Sequence, residues 1–192
     1  MPRWEPDAVG RLQAAAIDLF AEQGFERTTV AEIAERAGLT KRTFFNHFAD
    51  KREALFGPVS ERQRELVVAE IAACAGSVSP VDAVLRGLQA AADVMFEERR
   101  AAVARRREII DANPELRERE WGKRAALADA IVEALRARGV DSGTALLAAG
   151  VGVLVQQMAM RTWAEAADGR PLREHLSDAL LSLHAVIGQR SV

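Results

Sequence analysis

Apolar residues recur at helical spacing along nearly the whole chain. Leu12, Ala15, Ala16, Leu19 and Phe20 form one stripe and predict a helix from about Glu5 to Gln23, closed by Gly24. Val30, Ile33, Ala34 and Ala37 fall at i, i+3, i+4 and i+7 and predict a second, shorter helix. Thr29 and Glu32 make a T-x-x-E capping box at its start, and Gly38 follows its end. Thr40 then caps a helix from Lys41 to His47, and Asp50 caps another that begins near Lys51. Gly57-Pro58 predicts a kink, with a restart near Ser60.

Five further helices follow from similar signals. Ser79-Pro80 opens one with Val81, Val84, Leu85, Leu88, Ala92 and Met95 inward. The arginine-rich ERRAAVARRREII comes next. Asn113-Pro114 starts a helix that runs to about Arg138 and ends at Gly139. Asp141 or Ser142 caps one reaching about Ala167, apolar all round in its first half and so buried on every side. The last spans about Leu172 to Ile187, with Leu176, Leu180, Leu183 and Ile187 on one stripe. The expected fold is all-α, with about nine helices in all.

Two short helices joined by a Gly-containing turn form the helix-turn-helix pattern, expected over about 29–48, whose second helix enters the DNA major groove. That helix carries Lys41, Arg42, Thr43, Phe44, Phe45, Asn46 and His47. Phe44 and Phe48 share a face and anchor it; Phe45 lies off that face. Lys51 and Arg52 begin the next helix, where the positive dipole end favours phosphate. The net charge is −2, which argues against a protein that coats nucleic acid generally. Locally the balance reverses: Arg36, Lys41, Arg42, Lys51 and Arg52 against Asp50 leave +4 over 36–52 (five minus one), a patch suited to a site-specific binder.

The run LQAAAIDLFAEQGFERTTVAEIAERAGLTKRTFFNHFADKREALF, Leu12 to Phe56, resembles the N-terminal domain of TetR-type transcriptional regulators. The likeness rests on LFAEQGF with its Thr-Thr pair, the AERAGLTK turn, the aromatic-Asn-His-Phe ending and the following Asp-Lys. The resemblance implies a ligand-responsive repressor that binds a palindromic double-stranded DNA operator as a homodimer. It implies phosphate contacts from Thr29 and Lys51, recognition-helix contacts from Lys41, Arg42 and Thr43, and groove and backbone contacts from Phe45, Asn46 and His47. Arg42 departs from the family pattern, where a small residue is common. The resemblance also divides the chain into a DNA-binding domain over 6–66 and an effector-binding and dimerisation domain over 67–192. Its last two helices would form the dimer interface, here through Val151, Val155, Leu176, Leu180, Leu183 and Ile187. A small, largely apolar effector would sit among Met95, Phe96, Trp121, Gln156, Met160 and Trp163, which offer adaptable area and one amide.

The five arginines between Arg99 and Arg107 read either as a solvated face or as an anion site. Trp4 reads as packing on the small domain or as a groove-reaching arm. Cys74 is the sole cysteine, which favours a reducing, cytoplasmic location. The N-terminal MPRWEPDAVG lacks an apolar signal core, and the longest apolar run, Ala145 to Val155, is shorter than a bilayer span, so no membrane partner is expected. His47, His175 and His184 fall in no metal pattern, and no P-loop, G-x-S-x-G or G-x-G-x-x-G occurs. No catalytic residue, metal or cofactor is therefore expected. The alternative is an all-α enzyme or ligand carrier that uses its N-terminal motif for protein contacts.

Overall fold

The computed structural model describes residues 7–96 and 99–188. Trp4, the first turn expected from Glu5, and the Glu97-Glu98 pair lie outside the described residues. Among the described residues there are nine α-helices and no strand: α1 (Ala8–Gln23), α2 (Val30–Arg36), α3 (Lys41–His47), α4 (Glu53–Ala73), α5 (Pro80–Met95), α6 (Arg100–Ala112), α7 (Pro114–Ala137), α8 (Ser142–Glu165) and α9 (Leu172–Gly188). The expected caps Thr29, Thr40, Ser79 and Asp141 each accept a backbone N–H at a helix start, and Asp7, not among the expected caps, does the same for α1.

The chain forms two compact units. The first comprises residues up to Ser60 together with Ala104–Trp121; the second comprises Glu61–Val103 and the chain from Gly122 onward. The expected division at 66/67 is a single cut, whereas the folded chain crosses between units within α4, α6 and α7. The first unit's core joins Leu12, Phe20 and Phe25 to Ile33, Phe44, Phe48 and Phe56, and then to Ile109, Ile110 and Leu116 from far along the chain. Residues 104–121 thus complete the small domain: three aliphatic side chains cover a surface that three short helices cannot bury alone.

In the second unit α8 packs on α9 and α5, and α5 packs on α9. α8 is long and apolar enough to cross a membrane by length and composition. Here one of its faces, with Ala145, Ala148, Ala149, Val155, Ala159 and Trp163, lies in the unit's core. The opposite face keeps Leu147, Leu154 and Met158 exposed, so the helix is not buried on every side as its composition suggests.

Candidate nucleic-acid interface

The capping box at the start of α2 is complete. The Thr29 hydroxyl oxygen accepts from Glu32 N–H at 3.3 Å, and Glu32 Oε2 accepts from Thr29 N–H at 2.8 Å. Hydrogen bonds from the Thr29 side chain and backbone hold the Glu32 carboxyl below its usual range. At the other end Gly38 takes φ +67°, Gly38 N–H reaches Glu35 O at 2.9 Å and Leu39 N–H reaches Ala34 O at 2.8 Å. The Arg11 guanidinium, from α1, also donates to Ala37 O. The turn into α3 is therefore sealed from both sides.

α3 is two-faced. Phe44 and Phe48 are buried with ring centroids 5.3 Å apart, fixing the helix to the core. The outward face carries Lys41, Arg42, Asn46 and His47, all exposed, and Phe45, 57% exposed and edge-on to Phe44. Arg42 and Asn46 are one turn apart and share a line along the helix, as do Lys41 and Phe45. Thr43 is half-buried, with its hydroxyl 3.0 Å from that of Thr40.

The structure corrects the charge count. Arg36 forms a bidentate pair with Glu22 at 2.9 and 2.8 Å. Arg52 pairs with Asp50 and with Glu115, both at 2.7 Å. Lys51, expected on phosphate, instead turns inward. Its ammonium donates to the carbonyls of Phe25, Glu26 and Thr28 at 2.8, 3.3 and 3.2 Å and lies 4.2 Å from the Phe25 ring centroid. The α1–α2 connection presents a cluster of carbonyls that need donors, and an ammonium satisfies three at once. Among the described residues, Lys41 and Arg42 alone of the five cations are exposed with no side-chain ion pair or hydrogen bond. A sixth cation, Arg27, was missed because it lies outside the counted window; it is exposed, and its Nε donates to Gln23 O at 2.6 Å.

The residues expected to line an effector site do not gather into one. Trp121 is 63% exposed and belongs to the first unit, whereas the other five belong to the second. Trp163 and Phe96 are buried in the second unit's core; Met95, Gln156 and Met160 are half-buried. Arg100 lies 5.1 Å from the Trp163 ring and donates to Ala166 O and Arg170 O. A small apolar cavity of about 10 Å³, roughly one water, is lined by Val81, Leu85, Leu88, Val151, Gly152, Val155 and Leu180, none of them expected effector residues.

The expected dimer stripe is also redistributed. Val155, Leu176 and Leu180 are buried within their own chain; Val151 and Leu183 are half-buried; Ile187 is exposed. The most regular apolar stripe on α9 serves the internal core, because α5 and α8 supply a partner for it first. The exposed apolar side chains on these two helices are instead Leu146, Leu147, Leu154 and Met158 on α8 and Leu181, Val186 and Ile187 on α9.

Comparison with known proteins agrees with this geometry. The family profile of bacterial regulatory proteins of the tetR family matches residues 12–56. The HTH-type transcriptional regulator TcmR of Streptomyces glaucescens is 51% identical over 45 residues, which is 23% of this chain and 20%, about a fifth, of the length of that protein. Two crystal structures are alike across nearly the whole chain. The FadR repressor of Thermus thermophilus, in complex with lauroyl-CoA, is 24% identical with a TM-score of 0.53 and 96% of each chain covered. A TetR-family regulator from Syntrophomonas wolfei is 15% identical with a TM-score of 0.60 and 97% of each chain covered. At these identities the two structures share the fold. Residues 12–56 thus match the tetR family of bacterial regulatory proteins over the helix-turn-helix, and the all-helical architecture around them is the fold of these two solved structures.

Proposed function

We propose that this protein is a cytoplasmic, DNA-binding transcriptional regulator acting as a homodimeric, ligand-released repressor. The observation that carries the reading is the outward face of α3. It holds two exposed cations, an amide, an imidazole and an exposed aromatic on a helix whose other face is locked by Phe44 and Phe48. Arg42 and Asn46 have the fork and the amide that read guanine and adenine edges. Lys41, His47, Phe45 and the hydroxyls of Thr29 and Thr43 suit phosphate and sugar. Lys51 is assigned to the scaffold beneath them. Double-stranded DNA with an approximately palindromic operator is the partner, with two recognition helices about one turn, ~34 Å, or a multiple apart.

The second copy docks on α8 and α9. Leu147, Val151, Leu154 and Met158 fall at i, i+4, i+7 and i+11, a knob-forming stripe that the chain itself leaves open or half-open. The effector is small and largely apolar, in keeping with the core of the second unit. A repressor of the same fold holds lauroyl-CoA in its crystal. Effector coupling of typical size, about 1–3 kcal/mol, lowers DNA affinity roughly 5–150-fold.

The test is fluorescence anisotropy of the purified protein on the DNA upstream of its own gene, with scrambled DNA alongside, at two salt concentrations. Saturation at an even number of subunits, with affinity well above that for scrambled DNA, is the expected result. Equal affinity for both, repeated with operators selected from genomic fragments, would refute it.

A further inference from the structure

The arginine cluster is divided between the units: Arg100 lies in the second, and Arg105, Arg106 and Arg107 lie in the first. Within 104–121, Arg105 pairs with Asp18 at 2.8 Å, Arg119 pairs with Glu53 at 2.6 Å, and Glu115 pairs with Arg52. These pairs are exposed on at least one side and each contributes little. Arg106 is different. Its side chain is three-quarters buried, at 25% exposure, and it engages three groups at once. Its Nε donates to Leu55 O at 2.8 Å, its guanidinium lies 4.8 Å from the Phe56 ring centroid, and its Nη1 is 3.4 Å from Glu120 Oε1.

The place where it does so is a broken helix. Gly57 sits at φ 28°, ψ −151°, outside the helical region, and Pro58 has no N–H to give the preceding turn. Side chains meet two carbonyls of that turn: Arg106 reaches Leu55 O, and the Ser60 hydroxyl reaches Phe56 O at 3.2 Å. The turn in question, Ala54, Leu55 and Phe56, is fully buried in the core shared with Phe44 and Phe48. Gly57 itself lies so close to Phe48 that a Cβ would fall 2.9 Å from its ring. Phe48 in turn packs at a tilt against Phe44 of α3, with ring centroids 5.3 Å apart. A continuous line of contacts runs from Arg106 through the first turn of α4 to the recognition helix.

We propose that Arg106 is a positioning residue for the recognition helix: it caps the interrupted first turn of α4, and so sets the pose of α3 without touching DNA. The inference rests on the DNA-binding reading above. The guanidinium lies against Phe56 while separate N–H groups, Nε and Nη1, serve a carbonyl and a carboxylate on two sides, a fork that the single ammonium of a lysine does not reproduce.

The experiment uses the whole 192-residue chain with Arg106→Met, Arg106→Lys and Arg42→Gln. Operator affinity is measured across a salt series, and amide hydrogen exchange is read by mass spectrometry. For Arg106→Met the expected results are a roughly tenfold loss of operator affinity with the salt slope unchanged, since no phosphate contact is lost. Exchange should speed up in α3 and the first turn of α4 but stay the same in α8. Arg106→Lys should recover only part of both. Arg42→Gln should instead lower affinity without altering exchange. Wild-type affinity in Arg106→Met, a slope reduced by about one, equal loss of protection in α8, or full rescue by lysine would each overturn the proposal. A wild-type protein that fails to prefer operator DNA refutes the regulator reading, while the exchange pattern still decides whether Arg106 orders α3.

Discussion

Side-chain type alone did not decide the fate of the cations around the helix-turn-helix. Lys41 and Arg42 point outward, yet Lys51, Arg36 and Arg52 of the same patch are committed to carbonyls or carboxylates. Replacing Lys51 by methionine keeps its aliphatic stem but leaves the carbonyls of Phe25, Glu26 and Thr28 without their shared donor. A loss of about 1–3 kcal/mol in stability is expected by urea denaturation, with no change in the salt slope of DNA binding. A stable variant with a lowered slope would return Lys51 to the phosphate contacts. Arg42→Gln should behave in the opposite way: unchanged stability, a salt slope reduced by about one if the guanidinium meets phosphate, or an altered base preference at one operator position if it meets a base. A selection from randomised operators separates these outcomes.

At the scale of elements, the start of α4 is held by Asp50. Its carboxylate accepts from the backbone N–H of Arg52 at 2.9 Å and of Glu53 at 3.1 Å, besides its pair with Arg52. Partial burial pushes the Asp50 carboxyl up, but the hydrogen bonds from Arg52 and Glu53 outweigh it and hold it below its usual range. A carboxyl depressed in the folded state contributes stability above its unfolded pKa, about 3.9, and loses it as pH falls through the folded value. Asp50→Asn is therefore expected to be less stable than wild type at pH 7, with the difference shrinking below about pH 4. Parallel thermal melts at pH 7 and pH 3 measure this, and a pH-independent difference would assign the effect to geometry alone. The helix boundaries here were legible in the sequence because caps act within three residues. The partner of Arg52 on α7, Glu115, is 63 positions away, and no local rule pairs them.

For the whole molecule, the proposed homodimer rests on the exposed stripe of α8 and α9. Leu147 is 73% exposed, and Leu154, Met158 and Leu181 are open with it. Leu154→Glu places a charge in the middle of that stripe without disturbing the core residues opposite. The expected outcome is a monomer in sedimentation equilibrium, an unchanged melting profile in circular dichroism, and operator affinity reduced at least tenfold, because a single half-site remains. A variant that still sediments as a dimer would move the interface elsewhere. Leu176→Ala, in contrast, is expected to cost about 2–5 kcal/mol as a cavity in the chain's own core.

By itself the sequence determined the helical register, the caps, the helix-turn-helix with its anchored and open faces, and the family likeness of residues 12–56. All of these rest on relations between residues three, four or seven apart, where one helical turn imposes the geometry. Only the tertiary structure decided which of two apolar stripes on α8 and α9 is inside, because both read alike until α5 occupies one. It alone decided that Lys51 caps the α1–α2 loop and that Ile109, Ile110 and Leu116 finish the first core. Such groups lie far apart in the chain, 23 residues for Lys51 and Thr28 and 87 for Arg105 and Asp18. Which donor meets which acceptor, and which face meets which, is settled by packing the helices together, not by the order in which they are written.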